Sequence, residues 1–223
     1  MFSVSDEWKQ AYPKVYFGVL VMKNVCNPSQ HSGLDLVKRE LELDLRTLFK
    51  DRGELKALQP IQAYKNYYKR FDKTYHVLQQ LDSVIFKGKS IPAVSALVES
   101  MFIEELRNSL LTAGHDFDSV EEPVTLDIAT GNESYTRLSG QEQIVKPKDM
   151  IVRDSKGIIS SLIYGPDQRT RITQSTQNIL FTVYGVPGIG EMPVLQHLRG
   201  IEANVRIFAP SASTDVLEVY TTD

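Results

Sequence analysis

Apolar residues in this chain fall into two kinds of spacing, and the change between them comes near residue 124. Residues 14–25, KVYFGVLVMKNV, form a short, nearly continuous apolar and β-branched run, which predicts a strand buried on both faces. After the turn Asn27-Pro28-Ser29, Leu34, Val37, Leu41, Leu45 and Leu48 recur every three to four residues. That spacing predicts an amphipathic helix with Ser32 as its cap and Asp35 near its third position, ending near Arg52-Gly53. A second helical stretch is expected over about residues 63–86, interrupted near Asp72 and closed at Gly88. Pro92 suits the first turn of a third helix, which carries Val94, Leu97, Val98, Met101 and Glu105-Leu106 on to Leu111 and stops at Gly114. From Val124 the pattern shortens to strands, VTLDIA, SYTRL, KDMIVRD, GIISSLIYG and NILFTVYG, separated by Gly, Pro, Asn and Asp. A last helix around residues 193–201 precedes strands near residues 204–208 and 216–220.

Helices first and a strand-rich half second argue for an α+β fold with a β-sandwich-like layer rather than alternating parallel units. No internal repeat or low-complexity linker divides the 223 residues, so one domain is expected. Residues 1–60 and 190–223 are expected to pack on its centre. The glycine-rich stretch 185–190 reads as a loop and the best candidate hinge, and its spacing does not fit a dinucleotide fingerprint.

Composition adds mainly exclusions. The chain is 42% hydrophobic and 24% charged, close to the globular average. It contains no apolar run long enough for a membrane span and no signal-peptide pattern, so the expected address is cytoplasmic, away from membranes. The single cysteine, Cys26, excludes an internal disulfide and a Cys-based zinc site, and reads as a buried or strand-end thiol. No metal and no cofactor are expected, and the oligomeric state stays open.

Net charge is −3, so the whole molecule does not attract phosphates, yet its charge is uneven. Lys65, Lys69, Arg70, Lys73, Lys87 and Lys89 are interleaved with Tyr64, Tyr67, Tyr68, Phe71 and Tyr75. Basic side chains beside aromatics suit a sugar-phosphate backbone with stacked bases. A solvated amphipathic helix whose aromatics face the core fits the same residues.

For chemistry, the sequence offers neither a Gly-x-Ser-x-Gly elbow nor a His-Glu-x-x-His helix nor a calcium loop. Lys87-Gly88-Lys89-Ser90 lacks the first glycine of a phosphate-binding loop, which would fall at Ser83. Of four histidines, His31 sits in a polar turn, and His76 and His197 lie in helical patterns that suggest surface or half-buried positions. His115 differs, because it follows Gly114 and precedes Asp116 and Asp118. An imidazole there can stand at a cleft mouth with a carboxylate to orient it. Hydrolysis, if any, would use an oriented water with a histidine or carboxylate as base.

Four phrases in order carry a family resemblance. They are Lys87-Gly88-Lys89 with Pro92; His115, Phe117 and Asp118; Leu138, Gly140 and Glu142 followed by a strand ending at Asp154; and Thr176, Asn178, Ile179 and Leu180. Residues 65–184 resemble the tRNA-binding and editing module of the phenylalanyl-tRNA synthetase beta chain, and the chain looks like a free-standing protein built around it. The resemblance implies that fold, aminoacylated tRNA as partner, and hydrolysis of misacylated tRNA. Residue by residue it proposes His115 as the catalytic group and Glu142 for recognition of the amino acid, unless Glu142 is only a solvated turn residue. Asp116, Arg169 and Arg171 become further substrate-binding candidates, and the six cations above become candidates for tRNA phosphates. Two departures stand out: IISSLIYGPDQRTR replaces the family's glycine-rich stretch, and Thr182 stands where an acidic residue is common. No ligase core is present in these 223 residues, so amino-acid activation is not expected. Two rivals remain, a non-catalytic RNA-binding module and a small-molecule binder using the same pocket.

Overall fold

The computed structural model describes residues 2–221. The chain opens with two short elements that periodicity did not flag, β1 (Phe2–Val4) and α1 (Asp6–Ala11), whose cap is the Ser5 hydroxyl accepting from Trp8 N–H. β2 (Tyr16–Lys23) is the strand expected from its apolar run, and all but its end residues are buried. α2 (Ser32–Leu48) buries Leu34, Leu41 and Leu45; its cap is the imidazole of His31, which accepts from Gly33 N–H, rather than Ser32. Where that helix was expected to end, a new one begins, because Asp51 accepts from Gly53 N–H and Glu54 N–H to start α3 (Arg52–Ala57).

The next helical stretch divides as expected into α4 (Gln59–Lys69) and α5 (His76–Phe86), with Asp72 in the left-handed region between them. α6 (Ala96–Asn108) starts four residues after Pro92 and ends at Ser109, which takes the left-handed cap position. Gly114 does not stop this helix. It lies inside β3 (Thr112–Asp116), a strand that exists because it pairs antiparallel with a later one, His115 standing opposite Leu180.

Then come β4 (Val124–Ile128), β5 (Ser134–Thr136), β6 (Glu142–Ile144), β7 (Met150–Asp154), β8 (Gly157–Ser161), β9 (Gly165–Pro166) and β10 (Ile179–Tyr184). α7 (Glu191–Phe208) absorbs residues 204–208, which were expected as a strand. Ile201, Asn204, Val205 and Phe208 are all buried at helical spacing. β11 (Ser213–Thr221) closes the described chain.

The strands form a five-stranded sheet in the order β1-β4-β7-β8-β9, a four-stranded sheet in the order β11-β2-β10-β3, and the small pair β5-β6. This is a mixed α+β architecture. β1 joins the first sheet parallel to β4, while β2 and β11 make half of the second sheet, so both ends of the sequence supply strands to the central layers. The tyrosines of α4 tie those layers together. Tyr67 donates to Asp149, Tyr68 to the Leu162 carbonyl and Tyr64 to the Tyr184 carbonyl, all from buried positions. Among the described residues no helix is long and apolar enough to cross a membrane.

Candidate functional site

The edge strand β3 is where helix, sheet and loop meet. Gly114 has no side chain to spare: a Cβ there would come 2.8 Å from Ile172 and 3.2 Å from the Met101 sulfur. The glycine therefore lets α6 and residue 172 close onto the strand. Beside it opens a cleft of about 500 Å³ between α6, β3 and the β8–β9 turn. Its wall is mostly apolar, with Val98, Met101, Phe102 and Leu162, and its polar groups are few: Glu105, Thr112, Ser161, Tyr184, His76 and Arg171. An apolar concavity with a few convergent polar groups is the usual form of a ligand site. A second depression of about 390 Å³ adjoins it, sharing His76 and Phe102 and reaching Lys89 and Ser90.

His115 does not stand at the cleft mouth. It is fully buried, two residues along β3 from Ala113 on the cleft wall, under the segment 167–170. Its orienting partner is not Asp116 but Thr170, whose hydroxyl lies 2.7 Å from Nδ1. Neighbouring strand residues point to opposite faces, which is why Asp116 cannot reach the ring. Asp116 accepts instead from the Thr176 hydroxyl and from Asp118 N–H. The Thr170 hydroxyl donates to Asp167, which also accepts from Thr170 N–H. With its proton committed, the hydroxyl accepts from Nδ1–H, so Nε2 carries the lone pair. Nε2 has no protein partner, and neither does the Thr182 hydroxyl on the same face of adjacent β10. Burial, reinforced by the Arg169 charge and opposed by Asp154, pushes the His115 pKa down to about 3. The imidazole is neutral at physiological pH and serves as an acceptor, not as a strong base.

The other expected site residues separate. Glu142 is exposed on β6 and accepts from the Ser134 hydroxyl, away from the cleft wall. Arg169 is committed: it makes two 2.8 Å bonds to Asp154 and donates to the Ser119 carbonyl. Arg171 is exposed, lines the cleft, and donates to the Gln168 carbonyl. Lys65, Lys69, Arg70, Lys73, Lys87 and Lys89 all face solvent, but Tyr64, Tyr67, Tyr68, Phe71 and Tyr75 are buried, so none of these rings can stack a base. Lys87 pairs with Asp82, and Arg70 covers the Tyr12, Tyr67 and Phe71 rings. Lys73 sits 5.5 Å from the Tyr164 ring, next to Gly165 on the cleft wall.

Two groups that sequence reasoning passed over matter here. Glu105 is 2% exposed on the cleft wall, and its Oε1 accepts from Thr112 N–H. Burial pushes its pKa up to about 8. Its signal in the sequence was the spacing Leu97–Met101–Glu105, which puts a carboxyl on the buried stripe of α6. His197, expected near the surface, is fully buried; Asn108 donates to its Nδ1, and its Nε2 donates to the Thr112 hydroxyl at 2.7 Å. Cys26 is exposed. Among the described residues no group of His, Cys, Asp and Glu is placed to hold a metal ion.

Comparison with known proteins brings a family model described as the B3/4 domain, which matches residues 62–191, more than half of the chain. Over 69 residues the chain is 35% identical to the phenylalanine–tRNA ligase beta subunits of Mycoplasma pneumoniae and Mycoplasma genitalium, a stretch that is 31% of this chain and 9% of theirs. An N-terminal fragment of the phenylalanyl-tRNA synthetase beta subunit from Pyrococcus horikoshii has a similar fold, with a TM-score of 0.52 at 12% identity. That likeness covers 98% of this chain and 53% of the other.

Proposed function

This chain belongs to the B3/4 domain family, and from that premise and the cleft beside β3 we propose that it is a tRNA-binding module that receives the acylated 3′ end of the tRNA. One observation carries the reading: the cleft is large enough for an aminoacyl group, is lined mainly by apolar side chains, and has solvent-facing cations at its margin. Lys73 stands beside Gly165 on one side and Lys89 in the adjoining depression on the other. Lys65 and Lys69 extend the same sign of charge along α4. The buried aromatics of α4 support the scaffold, so the RNA contact in this reading is electrostatic.

Filter binding of tRNA at two salt concentrations tests it. Affinity should fall steeply with salt, and K73A/K89A should lower the slope of log K against log salt by about 1.5 to 2. No measurable tRNA affinity at low salt would overturn the reading in favour of a small-molecule binder.

A second reading, hydrolysis of a misacylated ester in trans, is favoured by the unpartnered Nε2 of His115. A water on Nε2 would donate to it, with the ring oriented through the Asp167–Thr170–His115 chain, and this reading requires the buried ring to be reached from the neighbouring cleft. Glu142 has no contact with that site, so recognition of the amino acid would fall to cleft residues. In this reading H115A slows deacylation of a mischarged tRNA by about a hundredfold. An unchanged rate removes the hydrolytic assignment and leaves the binding one.

A further inference from the structure

Glu105 is a carboxyl in an unusual position. It is 2% exposed, lines the cleft, and receives one hydrogen bond, from Thr112 N–H to Oε1 at 2.8 Å. No hydrogen bond or ion pair reaches Oε2 among the described residues. The three tyrosine hydroxyls whose electrostatics it influences all spend their protons elsewhere. Tyr64 donates to the Tyr184 carbonyl, Tyr68 to the Leu162 carbonyl and Tyr75 to the Ser109 carbonyl. The other titratable groups on the cleft wall, His76, Arg171 and Tyr184, form no ion pair with it. Buried acids are normally paired, so a solitary one on a cavity wall implies that its partner arrives with the ligand.

Which partner follows from the surroundings. The wall that Glu105 shares carries the aromatic side chains of Phe102 and Tyr184, which favour a cation, and is otherwise mostly apolar, with Thr112, Ser161, His76 and Arg171 as its remaining polar groups. We propose that Glu105 is the anchor for a ligand ammonium, so that the cleft selects aminoacyl groups with a free amine over N-blocked ones. The inference rests on the reading that the cleft takes an aminoacyl group, and adds the chemical class that it accepts. Burial holds the empty carboxyl protonated at neutral pH. An arriving ammonium therefore forms its charge-assisted bond by displacing that proton to solvent.

The test uses the whole chain and two probes, phenylalaninol, which is an ammonium at neutral pH, and N-acetylphenylalaninol, titrated calorimetrically. The wild type should bind phenylalaninol at least about tenfold more tightly, and E105Q should bring the ratio to about one while still binding the acetylated probe. A ratio that persists in E105Q overturns the assignment of Glu105 and leaves the cleft reading intact. Failure of both probes to bind the wild type overturns both. A measurement on the wild type alone guards against a misfolded variant. In two buffers of different ionisation enthalpy at pH 7, phenylalaninol should release a large fraction of a proton and the acetylated probe none. H76Q should keep that release, which excludes His76 as its source. Equal proton release for the two probes would contradict the proposal.

Discussion

Two buried histidines stand at the two ends of β3, and they differ in one respect. Both are fully enclosed, both are neutral, and both lean on a threonine hydroxyl at 2.7 Å. His197 uses both ring nitrogens, one to Thr112 and one to Asn108, so it is a satisfied part of the core. His115 uses only Nδ1 and leaves Nε2 without a protein partner, on the same face of the sheet as Thr182 of the adjacent strand. Native interiors satisfy nearly all buried polar atoms. Among the described residues His115 Nε2 shares its unpartnered state with the Thr182 hydroxyl and with Trp8 Nε1, and of these only His115 offers a lone pair that can accept a proton. Burial alone makes neither histidine functional; what separates them is which nitrogen has been left over.

The largest effect that can break this comparison is in acid. The pKa of each ring falls from an ordinary 6.5 to about 3 on folding. Their contribution to stability is present above pH 6.5 and is lost as pH falls towards 3, because the unfolded chain takes up the protons first. The upper limit is about 5 kcal/mol per ring. Urea titrations between pH 7 and 4 should show a shallower acid loss in H197Q and in H115Q alike. A change in only one variant would mean that the other ring is not buried as described.

Next in size are truncations at neutral pH. H197A opens a core cavity and strands Thr112 and Asn108, at a cost of about 3 kcal/mol or more. H115A opens a cavity of the same kind but strands only Thr170, whose hydroxyl keeps Asp167, and should cost about 1 kcal/mol less than H197A. Equal losses in denaturant midpoint would erase the distinction. The smallest effect is T182V, which removes an unpaired hydroxyl without changing shape and should be neutral or stabilising by less than about 1 kcal/mol. A clear destabilisation would show that the hydroxyl is already satisfied.

These features differ in how far the sequence disclosed them. β2, α2, the break at Asp72 and the strands β7, β8 and β10 follow strong local periodicity, and they are where it put them. β3 does not, because Thr112–Asp116 has no alternating pattern and forms only by pairing with a strand 63 residues further on. The same non-locality hid the site. Gly114-His115 was legible as unusual, while its partner Thr170 is 55 residues away. Glu142 drew attention through a turn motif, yet no local signal says which way a turn points. Glu105 fell in register with Leu97 and Met101 on α6, but only the packing of that helix against β3 puts its carboxyl on a cleft wall. Residues 204–208 misled in the other direction: their β-branched content suggests a strand, but the buried spacing of Ile201, Asn204, Val205 and Phe208 continues a helix.

The central claim is that the cleft beside β3 receives the acylated end of a tRNA. It is tested most directly by comparing the affinities of aminoacylated and deacylated tRNA for the wild type and for V98W, which fills the cleft without touching the marginal lysines. The account predicts that the wild type prefers the acylated form and that V98W binds both forms equally, at the wild-type affinity for deacylated tRNA. Equal affinities in the wild type, or a preference that survives in V98W, would contradict it.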